Sequence, residues 1–284
     1  MRMVEAKPRC GWIEALPKLG VGLGYRVELH DEILANAAKI DFLEVISEQF
    51  IRRSPEVLAR ADALRARFPI IPHGVELSVG TAAGIVPAYL EQLARFVGRM
   101  DAPWFSDHLA FTRVPSADIG QLTQLWFTRE SLDAVVRNVR EIKARIPTPL
   151  LLENITYYFQ LPHAEMTEAE FVTRVLDETD CGMLLDVNNV HINAMNLGFD
   201  PYAFLASLPL HRVAQIHLAG GVRVGGMVVD THSTAVREEV WELLEFVAER
   251  APLKGIILEW DQDFPPFDVL LAHLERARGV MAAV

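Results

Sequence analysis

The 284-residue chain is 51% hydrophobic with a formal net charge of -11, enough apolar content for a large core in one domain. Its acidity opposes broad attraction to nucleic acid or to an anionic membrane face, which leaves peptides, proteins and small molecules as the expected partners. The two cysteines, Cys10 and Cys181, form neither a disulfide framework nor a zinc-ligand pair, so a reducing, cytoplasmic setting is expected. Glu5, Lys7, Pro8 and Arg9 interrupt any apolar signal region, and no apolar run reaches membrane-spanning length.

In chain order, short apolar runs alternate with helical patterns. The runs are Val21–Tyr25, Phe42–Ile46, Ile70–Val75, Trp104–Leu109, Leu150–Glu153, Met183–Val187, Val213–Leu218 and Ile256–Trp260. The helical patterns are Pro55–Arg67, Ile85–Arg99, Thr128–Ile146, Thr167–Glu178, Pro201–Leu208, Thr234–Arg250 and Asp268–Arg278. Start signals support several of them: Ser54 before Pro55, Thr167 three residues before Glu170, and Ser233 or Thr234 before Glu238. This alternation predicts a single-domain (β/α)8 TIM barrel spanning residues 1–284. A doubly wound open sheet competes with it, but Gly20, Gly22 and Gly24 alone do not make a dinucleotide-binding turn.

The polar residues fall at the ends of the predicted strands: Glu44, His73, Asp107 with His108, Glu153, Asp186, His217 and Glu259. In a barrel those ends converge on one mouth. A single acid at such a position is often paired with an arginine or caps a helix, and a single histidine is often a satisfied core residue. Several carboxylates in one cavity repel each other and lose hydration unless protonated or bound to cations, so a metal centre resolves the conflict. The segment Gln215–His232 adds Asp230 and His232, two residues apart and on one side if extended. The plainer alternative has His217 capping a strand and Asp-Thr-His capping a helix that opens near Ser233. Imidazoles and carboxylates without a thiolate suit Fe, Mn or Zn, and their number suits two or three ions sharing carboxylates. Spacing does not separate a hydrolytic centre from a redox one.

The motifs Gly22-Leu23-Gly24-Tyr25-Arg26, Phe42-Leu43-Glu44-Val45, Pro72-His73-Gly74-Val75, Ser106-Asp107-His108-Leu109, Leu152-Glu153-Asn154, Leu185-Asp186-Val187-Asn188-Asn189, Gln215-Ile216-His217-Leu218-Ala219-Gly220-Gly221 and Asp230-Thr231-His232 occur in order over nearly the whole chain. Together they are similar to the DUF692 family, also called UPF0276, whose studied members are multinuclear non-heme iron-dependent oxidases. The resemblance implies two or three irons in mixed Fe(II)/Fe(III) states and dioxygen as co-substrate. It implies a ribosomally made precursor peptide modified commonly at cysteine, and a separate partner protein that delivers the peptide. Carried over, the ligands are His73, Asp107, Glu153, Asp186, Asn189, His217, Asp230, His232 and Glu259, with Glu153 as bridge and His108 as an addition. Asn154, Asn188 and Gln215 would orient them.

Two positions depart from the family pattern. Gln49-Phe50 follows Ser47-Glu48 where many relatives carry Asn and an aromatic residue or His, so no ligand or substrate contact is carried over there. His191 stands where relatives often have an aromatic residue. An extra ligand, a proton shuttle and a filler of the same space are open for it, the shuttle making it the catalytic candidate. The Pro115–Gln124 loop is the expected peptide entrance. The competing functions are a metal-dependent isomerase, a phosphodiesterase-like hydrolase and a non-enzymatic binding protein.

Overall fold

The computed structural model describes residues 11–51, 53–114 and 117–284. Cys10 and the Glu5–Arg9 segment therefore lie outside the described residues. The strands in chain order are β1 (Gly20–Gly24), β2 (Leu43–Ile46), β3 (Ile70–Gly74), β4 (Phe105–His108), β5 (Phe111–Val114), β6 (Ala117–Thr123), β7 (Leu150–Glu153), β8 (Gly182–Asp186), β9 (Val213–Leu218), β10 (Gly221–Val224), β11 (Met227–Asp230) and β12 (Gly255–Leu258). Eight of them close into a barrel in the order β1-β12-β9-β8-β7-β4-β3-β2, with every neighbouring pair parallel. These are the eight expected apolar runs, and closure leaves none with an open edge. The remaining strands form antiparallel hairpins, β5–β6 after β4 and β10–β11 after β9.

The two-residue period of a strand explains the inside of the barrel. Phe42, Ile71, Trp104, Leu151, Leu184, Ala214 and Ile257 form one buried cluster with Ile13 from the short helix Gly11–Ala15. Two residues further along the same strands stand Glu44, His73, Ser106, Glu153, Asp186 and Glu259, so an apolar floor carries a polar storey. The alternate residues, such as Leu43, Ile70, Leu150, Leu185 and Ile256, belong to the main core shared with the surrounding helices. On β9 the register slips between Met183 and Leu184 of its neighbour, and this bulge places Ala214 in the floor while Gln215 and His217 rise above it. Strand β1 contributes glycine: a Cβ at Gly22 would sit 2.4 Å from the Phe42 carbonyl and 2.9 Å from the Ile257 side chain.

The helices expected from sequence are found with shifted ends, for instance Pro55–Arg65, Pro87–Met100 and Arg129–Arg145. Thr167 and Glu170 form a reciprocal capping box, whereas Ser54 sits at its N-cap without a capping side-chain bond. The helix expected from Thr234 begins at Glu238, with Arg237 as N-cap, because Ser233 instead pairs with Thr231 and Thr234 bonds the Gly221 carbonyl. A helix at Val187–Leu197 was not foreseen. Its sequence holds four asparagines, and it is buried continuously from Val187 to Ala194, so it has no polar face to set a 3.6-residue rhythm. The Pro115–Gln124 loop is corrected in the same way: Ala117–Thr123 is the exposed strand β6, paired to β5.

Candidate metal centre

Glu153, at the end of β7, lies at the centre of the polar storey. Its Oε2 is 3.3 Å from His108 Nε2 and 3.6 Å from His73 Nε2, while its Oε1 is 3.2 Å from His217 Nδ1. His217 Nδ1 is also 3.0 Å from Glu259 Oε2. The side chains fall into two buried groups with ligand atoms within 4.8 Å of one another: His73, His108 and Glu153; and Glu153, Asp186, His217 and Glu259. Glu153 belongs to both.

The orientation of each imidazole is set from behind. His73 Nδ1 pairs with Ser106 Oγ at 2.9 Å, which leaves Nε2 facing Glu153. His217 Nε2 lies 2.8 Å from Glu44 Oε1, Gln215 Nε2 donates to Glu44 Oε2 at 2.5 Å, and the Trp104 indole donates to Gln215 Oε1 at 2.6 Å. A chain of polar contacts thus runs from the apolar floor up to the face that His217 presents to Glu153 and Glu259.

A third set lies higher, at the end of β11. His232 Nε2 is 2.9 Å from Asp230 Oδ1, and its Nδ1 is 3.2 Å from Asp261 Oδ2 and 3.7 Å from Glu259 Oε2. Asp230 and His232 do converge, but not along one extended strand. The strand ends at Asp230, and His232 takes a left-handed backbone with φ 47°, its carbonyl accepting from the Asp261 amide at 2.7 Å. Asp186 ends β8 and caps helix Val187–Leu197, so Val187 is helical and not the last residue of the strand run expected from sequence, and Asn188 of this helix donates to Asp230 Oδ1 at 3.1 Å.

Buried polar atoms here lack hydrogen-bond partners among the described residues: Glu153 Oε2, Asp186 Oδ2 and His108 Nδ1. Such atoms are costly to bury and are what a bound cation would satisfy. Burial pulls the His217 imidazole toward its neutral form, but Glu259, Glu44 and Glu153 outweigh it and raise its pKa well above the usual value. The same contest, with Glu259 and Asp230, raises His232. Burial and the nearby Glu153 and Asp230 charges raise Asp186 well above the carboxylate range. For Glu259, burial is overcome by His217, His232 and Arg26, and its pKa falls well below normal. His108 is lowered to about 4, chiefly by burial. Protons on imidazoles hold these acids together where a metal ion would otherwise do so, so metal and protons compete. The donor set of imidazoles and carboxylates fits iron, manganese or zinc.

Other expected residues lie apart from the two groups. Asp107 and His108 are adjacent on one strand and so face opposite ways; Asp107 Oδ1 accepts from the His108 amide at 2.7 Å and its Oδ2 from the Leu77 amide at 3.2 Å. Asn189 sits on the Val187–Leu197 helix, where its amide bonds Asp186 Oδ1 at 2.7 Å and its side chain bonds Thr156 and the Asn154 carbonyl. His191, on the same helix, is buried, its pKa lowered chiefly by that burial, and the charges that act on it are Glu239 and Arg237. Gln49 is exposed, and Phe50 is buried and stacked on Phe96 with centroids 5.6 Å apart. The sequence reasoning did not assign roles to Asp261 or Arg26, whose Nε donates to Asp261 Oδ1 at 2.8 Å and whose Nη2 lies 3.8 Å from Glu259 Oε1. The signal for Asp261 was its two-residue spacing from Glu259. Glu44 was noticed at a strand end but not given its place behind His217.

Fold and site define a TIM-barrel protein with two buried groups that could hold metal ions. Residues 20–282 match the family described as RiPP precursor modification enzyme MbnB/TglH/ChrH, and the chain belongs to this family, also called UPF0276. A UPF0276 protein of Caulobacter vibrioides is 39% identical over 265 residues, covering 93% of this chain and 95% of the relative. One from Acaryochloris marina is 36% identical over 258 residues, covering 91% and 93%. The xylose isomerase domain protein of Planctomyces limnophilus superposes with a TM-score of 0.59 at 15% identity, over 95% of this chain and 99% of that one. That last likeness concerns the fold. Among the described residues no helix is long and apolar enough to cross a membrane.

Proposed function

We propose that this protein is a multinuclear non-heme iron-dependent oxidase that uses dioxygen to modify a ribosomally made precursor peptide at cysteine. The observation that carries the reading is the carboxylate of Glu153 shared between two buried histidine and carboxylate groups, the arrangement needed to bridge adjacent ions. His73, His108 and Glu153 would hold one ion, and Glu153, Asp186, His217 and Glu259 a second. Asp230 and His232 would serve a third, without Asn189, whose side-chain oxygen and nitrogen are taken by Thr156 and the Asn154 carbonyl. Asp107 is left out of the set because both its oxygens are engaged by backbone amides. Bound iron would supply the redox chemistry with dioxygen.

The chain's own contribution is placement and exclusion of water. The apolar floor of Phe42, Ile71, Trp104, Leu151, Leu184 and Ile257 seals the barrel below the polar storey, so the mouth is the way in. Glu44, Gln215 and Trp104 hold His217, and Ser106 holds His73. Glu259 is kept ionised by Arg26 together with His217 and His232. His191 serves to fill space. A peptide delivered by a separate partner protein suits the exposed β5–β6 hairpin, where Val114, Ile119 and Leu122 stand in solvent.

The test is anaerobic iron reconstitution followed by mass spectrometry of candidate precursor peptides after exposure to oxygen. A mass change that requires both iron and oxygen supports the reading. Zinc or manganese retained in preference to iron, with no oxygen uptake, would favour isomerase or hydrolase chemistry on the same barrel.

A further inference from the structure

The loop that leaves β7 separates two environments. Toward the metal mouth, Tyr158 Oη accepts from the Asp230 amide at 3.4 Å. On the other side, Tyr157 Oη donates to Glu168 Oε2 at 2.6 Å, at a cavity of about 560 Å³ walled by Phe127, Leu161, Met166, Phe199 and Phe204. A smaller space of about 20 Å³, which Glu168 and Tyr157 also line, continues inward to Asn154. Asn154 in turn grips the backbone of Asp186, donating to its carbonyl at 2.9 Å and accepting from its amide at 3.0 Å. The cavity and the candidate metal centre therefore share a wall.

Two acids line this largely apolar chamber: Asp200, exposed and engaged as the N-cap of the helix Pro201–Ser207, and Glu168, the less exposed of the two. Among the described residues Tyr157 is its one hydrogen-bond donor, and no lysine or arginine forms an ion pair with it. Burial pushes its carboxyl up to about 7, with the Tyr157 hydroxyl holding it part of the way down. At the first position of its helix it also faces the positive end of the helix dipole, but that end supplies only partial charge, and the capping box itself is made by Thr167 and Glu170. An ionised carboxyl among aromatic rings lacks a counter-charge, and a cation with an aliphatic stem supplies both the charge and the packing.

We propose that this chamber takes a basic side chain, lysine or arginine, of the peptide substrate, its stem against Phe127, Met166, Phe199 and Phe204 and its head on Glu168. The peptide part rests on the function proposed above. Tyr158 and Phe159, 40% and 66% exposed, lie on the loop between the chamber and the mouth. A peptide anchored in the chamber would cross these rings to reach the metals, so the anchor would set which residue is presented. The net charge of -11 suits a basic ligand.

The test needs neither the natural peptide nor iron turnover. Binding of n-hexylammonium and of 1-hexanol to the full chain is measured by ligand-observed NMR. The ammonium is expected to bind about tenfold more tightly at pH 8, a preference that shrinks toward pH 6 as Glu168 is protonated and disappears in Glu168→Gln. Ala203→Trp, at an exposed cavity-lining position, is expected to remove binding of both probes. Equal affinity for the two probes, a preference that survives Glu168→Gln, or binding that survives Ala203→Trp would overturn the proposal. If Glu168→Gln does not fold, the pH series and Ala203→Trp decide. Ammonium binding in a chain that modifies no peptide would keep the site and refute the peptide reading separately.

Discussion

Glu44 and His217 meet across the inside of the barrel, Oε1 to Nε2 at 2.8 Å, although they lie on β2 and β9 and are far apart in sequence. The contact leaves His217 Nδ1 as the nitrogen that faces Glu153 and Glu259. Glu44→Gln removes the charge behind the ring while keeping its size. It is expected to weaken iron binding by about 10- to 100-fold, the usual cost of losing such a partner, while the far-ultraviolet circular dichroism stays unchanged. Unaltered affinity in a metal titration would deny Glu44 this role.

Because Glu153 belongs to both groups, its loss differs from the loss of a residue belonging to one. Glu153→Ala is expected to bring bound iron close to zero. His108→Ala is expected to lower the iron content but leave the group of Asp186, His217 and Glu259 able to hold metal. Elemental analysis after anaerobic reconstitution separates the two, and equal retention by both variants would argue against a shared carboxylate.

The raised pKa values of His217 and His232 give the metal-free protein a definite pH dependence. Between the unfolded imidazole value, about 6.5, and the higher folded values, the native state holds more protons than the unfolded state. Their stabilisation is therefore complete below about pH 6.5 and is lost as pH rises through the folded values. Glu168, raised to about 7, acts in the same direction from the ordinary carboxylate range upward. Thermal denaturation of metal-free protein should show a midpoint that falls from pH 6.5 to 9, with a shallower slope after metal loading. A midpoint that rises over this interval would contradict the assignment.

At Gly74 a Cβ would stand 2.3 Å from Asp107 Oδ2. Gly74→Ala must therefore displace the carboxylate that receives the Leu77 and His108 amides. An overpacking cost of about 1–3 kcal/mol is expected in urea denaturation. A change below about 0.5 kcal/mol would mean that Asp107 does not fix this backbone.

The charges acting on His191 are Glu239 and Arg237, not those of the metal groups. His191→Phe, which supplies an aromatic ring of similar breadth, is expected to change iron content and peptide turnover less than about twofold. A loss of turnover of a hundredfold or more with iron content intact would restore the proton-shuttle reading.

The barrel was legible in the sequence because each strand is a short apolar run closed by punctuation, and chain order alone orders a parallel barrel. The polar storey was legible for the same reason: the two-residue period that puts Leu151 in the floor puts Glu153 above it, and likewise for Leu184 with Asp186 and Ile257 with Glu259. That period also argues against Asp107 and His108 sharing a face. The Val187–Leu197 helix was not legible, since a helix buried along its first eight residues carries no amphipathic signal. The β10–β11 hairpin, the left-handed turn at His232 and the convergence of Asp261 and Arg26 on Glu259 depend on chain reversals and on partners distant in sequence. Local periodicity determined which side chains could face the barrel axis. Only closure of the barrel decided which of them touch, because contact between β2 and β9 arises when the sheet curls on itself and from nothing local to either strand.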